Sequence, residues 1–322
     1  MTATIGADHG LAAGGKADAS HRTDYLMAAL LGGLTGAATV VVEPPGRGDG
    51  FWAGGPSVTR AADGNVYLAY RLRRPVTAGR GYANAVARSV DGLRFGTVTA
   101  VTMEQFGCAS LERPALVQRP DGGWRLYVSC STPGSKHWWV EAVDADTPAG
   151  LADGRRTVVL PGDAVTAWKD VVVQVGDDGR WRMWACRHPL DGGDDEADRM
   201  QSWYLTSADG LSWVPVGPAL LPTPGSWDQR GARITAVLAT ADGWLASYDG
   251  RASAAENWYE RTGLATGIGP ESFVADRGPV SRGGRTLRYV STLADGAGLR
   301  VYFEADRPDG SNALYSSWVP LA

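Results

Sequence analysis

The sequence predicts an all-β protein, a single five-bladed β-propeller whose ring is closed by an N-terminal strand. One short unit, a Gly-containing turn running into an aromatic strand, occurs five times, at DGNVYLAYR (from Asp63), DGGWRLYVS (Asp121), DGRWRMWAC (Asp178), DGWLASYDG (Asp242) and DGAGLRVYFEA (Asp295). Their spacing suits four-stranded blades with long loops rather than helical repeats. The chain also carries 43 glycines and 13 tryptophans in 322 residues, a composition of many tight turns between aromatic strands.

In chain order, MTATIGADHGLAAGGKADAS is small, polar and aperiodic, so residues 1–22 read as a disordered leader without signal-peptide layout, and 23–322 as the propeller. The apolar stretch YLMAALLGGLTGAATVVV from Tyr25 holds three glycines and runs into VEPPG, which suits a short helix and then a strand better than a membrane span. Each turn follows a short apolar strand: PSVTR, PALVQR, VVVQV, ITAVLA and LRYVSTL. The Asp-Gly pairs supply the positive φ of hairpin turns, so each unit is an antiparallel meander. In two blades a fourth strand is introduced by SVDGLRF and SADGLSW. The last blade has three evident strands, ending in ALYSSWV, and ATVVVEP from Ala38 is left over; pairing the two closes the ring and removes an exposed edge.

Composition narrows the partners. A formal charge of −4 leaves no basic excess to displace counterions, which argues against nucleic acid and membrane and for a small molecule or sugar. Three cysteines, Cys108, Cys130 and Cys186, are too few and odd in number for a disulfide framework, so a reducing, cytoplasmic setting is expected. Oligomeric state is not legible.

In an antiparallel meander the starts of the innermost strands and the loops joining strands two and three share one face. Those loops are long and polar, and the central funnel they surround is the expected site. Converging there are Glu112, Asp170, Asp228, Asp249, Glu256 and Glu304. Carboxylates in unlike environments suit cleavage of a glycosidic bond, one protonated for the leaving oxygen and one ionised for water or carbon. The same face gathers Arg71, Arg80, Arg113, Arg199, Arg230, Arg233, Arg251 and Arg261 with Lys136 and Lys169. Guanidinium groups grip carboxylate or phosphate in a planar fork, which points to an anionic substrate; pairing with the acids is the competing reading. His137 and His188 fall on this face as general acids or orienting donors. No cofactor is called for, and neither histidine has a second at ligand spacing, so a funnel-bound divalent metal is the lesser alternative.

The openings FWAGGPSV, LERPALV and AWKDVVV, with SADGLSW and the blade arrangement, resemble the five-bladed propeller glycosidases of glycoside hydrolase families 43 and 32, over most of the chain from Phe51. The resemblance implies that acids on the inner strands of the first three blades act as base or nucleophile, transition-state stabiliser and general acid. Glu112 in ERP and Asp170 in KDV match the second and third. Gly55-Pro56 stands where an Asp-Pro pair would open blade one, so the first carboxylate is missing, with Asp228, Asp249 or Glu256 as substitutes. The expected activity is glycosidase-like cleavage or transfer, centred on Glu112 and Asp170 and assisted by His188 or Glu256. The alternatives are a lyase, isomerase or cyclase on an anionic metabolite, and a noncatalytic carbohydrate-binding propeller.

Overall fold

A computed structural model of the chain describes residues 21–193 and 198–321; most of the expected leader lies outside the described residues. The protein is almost entirely β-sheet. Among the described residues the strands form five antiparallel groups of four. The first is β2 (Trp52–Arg60), β3 (Val66–Arg73), β4 (Gly81–Ser89) and β5 (Gly96–Thr102). The second is β6 (Ala115–Gln118), β7 (Trp124–Ser131), β8 (Trp138–Ala145) and β9 (Arg155–Leu160). The third is β10 (Thr166–Val175), β11 (Trp181–Pro189), β12 (Gln201–Ser207) and β13 (Val214–Leu220). The fourth is β14 (Gly231–Thr240), β15 (Gly243–Arg251), β16 (Arg261–Gly269) and β17 (Ser272–Val280). The fifth is β18 (Leu287–Asp295), β19 (Gly298–Asp306) and β20 (Asn312–Pro320), completed by β1 (Thr39–Val42), which pairs antiparallel with β20 through Thr39↔Ser316 and Val40↔Tyr315. The first strands of neighbouring groups pack side by side in the cyclic order β2, β6, β10, β14, β18 and back to β2.

Burial follows position within each group. β3, β7 and β15 are buried on both faces, whereas the outermost β13 and β17 expose Val214, Val216 and Val274. The spaces between groups are filled by aromatic and branched side chains, as around Trp168, Trp181, Met183 and Val171 between the second and third groups. The two SxDG turns are built alike. Asp91 Oδ1 accepts from Leu93 N and Arg94 N (both 2.9 Å), and Asp209 Oδ1 from Leu211 N and Ser212 N (both 2.8 Å). Each turn is pegged to the neighbouring group by a buried tyrosine: Tyr302 Oη donates to Gly92 O (2.8 Å) and Tyr127 Oη to Gly210 O (2.7 Å).

The apolar stretch from Tyr25 does form a helix and then a strand, as expected. Helix α1 (Thr23–Thr35) buries Leu26, Met27, Leu30 and Leu34 in one core with Leu245, Leu264, Val301 and Phe303. Gly33 allows the close approach, since a Cβ there would lie 3.0 Å from Val301 Cγ2. The helix is tied at both ends. Thr23 N and Oγ1 donate to Asp242 Oδ1 (both 2.8 Å) in the β14–β15 turn, and Arg282 Nη1 donates to Leu34 O (2.5 Å) and Gly36 O (2.7 Å), satisfying last-turn carbonyls. No helix of the described residues is long and apolar enough to cross a membrane.

Candidate active site

Four of the five innermost strands carry a register shift at the same place: Gly54/Ser57 in β2, Lys169/Val172 in β10, Ile234/Ala236 in β14 and Arg288/Ser291 in β18. An extra residue at such a shift bends the strand and re-aims its side chains. Three of the shifts hold a left-handed residue, Gly55 (φ 61°), Asp170 (φ 52°) and Tyr289 (φ 54°). That conformation costs a glycine little, an aspartate more and a tyrosine most, so Asp170 and Tyr289 are held there by their surroundings.

Those surroundings are a buried ionic network. Arg233, on β14, donates from Nη1 to Asp170 Oδ2 (3.0 Å) and from Nη2 to Asp249 Oδ2 (2.8 Å), so one guanidinium joins carboxylates of two groups. Asp170 also accepts from Arg113 N (3.2 Å) and Tyr289 Oη (3.4 Å), and its own amide donates to Ser129 Oγ (2.9 Å). Asp249 accepts from Tyr289 N at 3.1 Å to both oxygens. Arg71 pairs with Glu112, at close range, and with Glu304 (3.3 Å). Arg288 donates from Nε to Glu304 Oε1 (2.9 Å) and pairs closely with Glu260, which also takes Arg251 (3.2 Å). Asn312 Nδ2 donates to Glu304 Oε1 (3.0 Å). The Arg113 guanidinium is spent on carbonyl oxygens, Pro56 O (3.0 Å) and Thr235 O (2.7 Å), stitching β2 to β14.

The two carboxylates on Arg233 are driven apart. Burial raises the pKa of Asp170, but the Lys169 ammonium (3.8 Å away) and Arg233 outweigh it, and the net shift is downward. For Asp249 burial prevails over Arg233, with Glu260 adding repulsion, and the pKa rises to about 6. Glu260 and Glu304 are both held below the ordinary carboxylate range: burial opposes ionisation, and the surrounding arginines overcome it.

The network therefore gathers Glu112, Asp170, Asp249 and Glu304 of the expected acids, and Arg71, Arg113, Arg233 and Arg251 of the expected bases. Others lie elsewhere among the described residues. Asp228 accepts from Tyr248 Oη (3.0 Å) and Thr223 Oγ1 (3.3 Å) and forms no ion pair among the described residues. Glu256 accepts from Ala252 N (2.7 Å) and faces Arg261 (3.6 Å) in the β15–β16 loop. Lys136 pairs with Asp198 (3.2 Å), and His137 Nδ1 meets Thr132 Oγ1 (2.8 Å). His188 is buried on β11 with Nε2 3.4 Å from Cys186 Sγ, and its charged form would help hold Asp170 ionised. Arg230 is buried next to β14, its amide donating to Arg251 O (3.0 Å), and Arg199 directly precedes the Met200↔Gly231 bridge. Arg80 ends the β3–β4 loop with φ 52°.

Sequence reasoning missed Glu260, Arg288, Tyr289 and Asn312. A signal existed for two of them: Arg288-Tyr289-Val290 sits at the strand offset of Lys169-Asp170-Val171. A Cβ on Gly54 would overlap the Glu304 carboxylate, so an acid reaching over from β19 fills the space at the β2 opening. Away from the network, an open groove of about 900 Å³ lies between α1 and β16–β17. Of its acids, Asp24 is exposed and Asp242 partly exposed beside Arg22, and they lack the enclosed surroundings that separate Asp170 from Asp249.

No protein-family model matches the chain, and no curated protein matches it by sequence. Solved structures do. A thermostable family-43 glycoside hydrolase is 15% identical with a TM-score of 0.63, over 83% of this chain and 89% of that one. The GH43_1 enzyme from Xanthomonas citri, complexed with xylotriose, is 14% identical with a TM-score of 0.61, over 92% and 93%. A β-1,2-mannobiose phosphorylase from Listeria innocua is 15% identical with a TM-score of 0.61, over 88% and 94%. At these identities the likeness is one of fold: the chain has the β-propeller architecture of glycoside hydrolases and mannoside phosphorylases.

Proposed function

We propose that this chain is a glycosidase-like enzyme that cleaves or transfers a glycosidic bond of an anionic sugar in the funnel of a single five-bladed propeller closed by β1. The observation that carries the reading is Arg233 bridging Asp170 and Asp249, one carboxylate held ionised and the other protonated to about pH 6. Oppositely shifted carboxyls in one site are how acid and base roles are divided on a single scaffold. In this reading Asp249 donates the proton to the leaving oxygen. Asp170 and Glu112, on neighbouring innermost segments, supply the negative charge that stabilises the oxocarbenium-like transition state or activates water. Glu304 lies against Gly54 at the β2 opening and orients Arg71 and Arg288. His188 assists by keeping Asp170 charged, and Glu256, at the rim, is left for substrate contact. The three free, buried cysteines fit a reducing, cytoplasmic setting.

The test is turnover of a panel of aryl glycosides and aryl uronides by the wild type and by Asp170→Asn, Asp249→Asn and Glu112→Gln. A loss of about a thousandfold in kcat with folding intact is expected for the first two, in the range of a removed acid–base group or charge stabiliser. Turnover that survives Asp170→Asn at wild-type rate ends the reading. A second reading is favoured by the complete enclosure of Asp170 and by Gly55: a lyase, isomerase or cyclase acting on an anionic metabolite. Conversion of an anionic metabolite by a protein that hydrolyses no glycoside of the panel would support it.

A further inference from the structure

Arg73 ends β3 inside the network yet takes no part in its pairing. Its side chain is 2% exposed, lies 4.0 Å from the Trp52 ring and 4.8 Å from the Trp258 ring, and has no hydrogen-bond or ion-pair partner among the described residues. The guanidinium groups of Arg71, Arg113, Arg233, Arg251 and Arg288 each have an oxygen acceptor. Two more donors nearby are in the same condition: the Trp52 Nε1–H, buried and unbonded, and Arg80 Nε, across the β3–β4 loop from Arg73. A buried donor without an acceptor forfeits its hydration, and a buried charge without a counter-charge forfeits more. The cost is visible in Arg73 itself, where burial, and then repulsion from Arg71, Arg80 and Arg288, push the pKa down to about 8. Glu304 offsets it only in part, since Glu112, Glu260 and Glu304 are already engaged by Arg71, Arg251 and Arg288. Among the described residues the corner has donors left over and no acceptor bonded to them, the complement of a group that only accepts.

We infer that Arg73, Arg80 and the Trp52 indole N–H form an anion subsite that takes a carboxylate or phosphate group of a small-molecule ligand. The inference rests on the proposed sugar-processing role and gives the anionic part of the substrate an address. The Trp52 and Trp258 rings, set edge to face at 69°, pack around the Arg73 guanidinium but offer its N–H groups no oxygen, leaving them for a planar two-point grip. An anion arriving there supplies the missing counter-charge, so binding and relief of the strain coincide. The Arg71 pairings, which belong to the carboxylate network, are untouched.

Calorimetric titration of the full-length chain with galacturonate, inorganic phosphate and galactose tests this. At least one anion should bind, with galactose at least tenfold weaker, and Arg73→Met should weaken the anion at least tenfold while leaving galactose unchanged, the effect of losing a charge-assisted contact. Galacturonate alone identifies a carboxylate ligand, phosphate alone a phosphate ligand, and both together a site that reads anionic oxygens. If neither anion binds more tightly than galactose, or if Arg73→Met binds the anions as the wild type does, the inference is overturned. Should Arg73→Met fail to fold, Arg80→Gln, at a half-buried position, carries the same comparison. Parallel turnover assays separate the two claims. Hydrolysis of neutral aryl glycosides without anion binding keeps the enzyme and removes the subsite; anion binding without turnover of any glycoside or uronide does the reverse.

Discussion

Replacing Gly54 with alanine probes the centre of the network with a single methyl group. The backbone there is ordinary, and the obstacle is the Glu304 side chain, whose carboxylate occupies the space and whose Cγ would lie 2.7 Å from the new Cβ. Glu304 is fully buried and held by Arg71, Arg288 and Asn312, so the methyl is accommodated only by pushing the carboxylate off its partners. Breaking a buried ion pair costs about 3–5 kcal/mol. Because Arg71 keeps Glu112 and Arg288 keeps Glu260, the lower end is expected, about 3 kcal/mol, a large share of a typical domain's stability. Urea denaturation followed by circular dichroism measures it. The decisive control is Glu304→Ala, which empties the space: in that background Gly54→Ala should cost less than about 1 kcal/mol, an explicit non-additivity. A cost below about 1 kcal/mol in the wild type, or an equal cost in both backgrounds, would refute the steric argument. Gly55→Ala is the contrasting neighbour. Its penalty comes from φ 61° and is expected at about 1–2 kcal/mol in either background.

Other expectations are as direct. Tyr127→Phe and Tyr302→Phe each remove the peg between a turn and the next group and should each cost about 1–2 kcal/mol, additively, by the same denaturation assay; a neutral result would mean that the pegs are dispensable. Asp249 has a folded-state pKa near 6 against an ordinary 3.8, so the native protein binds the extra proton. Its contribution should therefore be most favourable below about pH 4 and decline as pH rises to 6. Relative to Asp249→Asn, wild-type stability should fall across that window and level off above it; a flat difference in midpoints between pH 4 and 7 would contradict the raised value. If Asp249 is the proton donor, kcat should decline with an apparent pKa near 6 on the alkaline side.

The turns were legible because they are local. Asp-Gly needs only its own side chain and a positive φ, and Asp63, Asp121 and Asp178 each bond an amide two residues on. The pairing of ATVVVEP with ALYSSWV was legible because each strand lacked a partner. The network was only half legible, since its geometry depends on strand shifts that no pattern of apolar residues announces. Glu256 and Glu260 lie in one loop and look equivalent in sequence, yet one faces Arg261 near solvent and the other is buried between Arg251 and Arg288. Arg73 was passed over in favour of Arg71 and Arg80, because being unpaired is a property of the surroundings and has no trace in the residue's identity.

The β1–β20 pairing also sets a schedule for synthesis. At ribosomal rates of about 5–20 residues per second, β1 and the apolar face of α1 wait on the order of tens of seconds before β19 and β20 exist to receive them. During that interval the nascent chain carries Leu26, Leu30 and Leu34 without their core and a strand without its neighbour. The fifth group is therefore the last to form however early the others fold. A chain cut short before Asn312 leaves both the helix and β1 unclaimed, in a form suited to capture by chaperones or by another nascent copy.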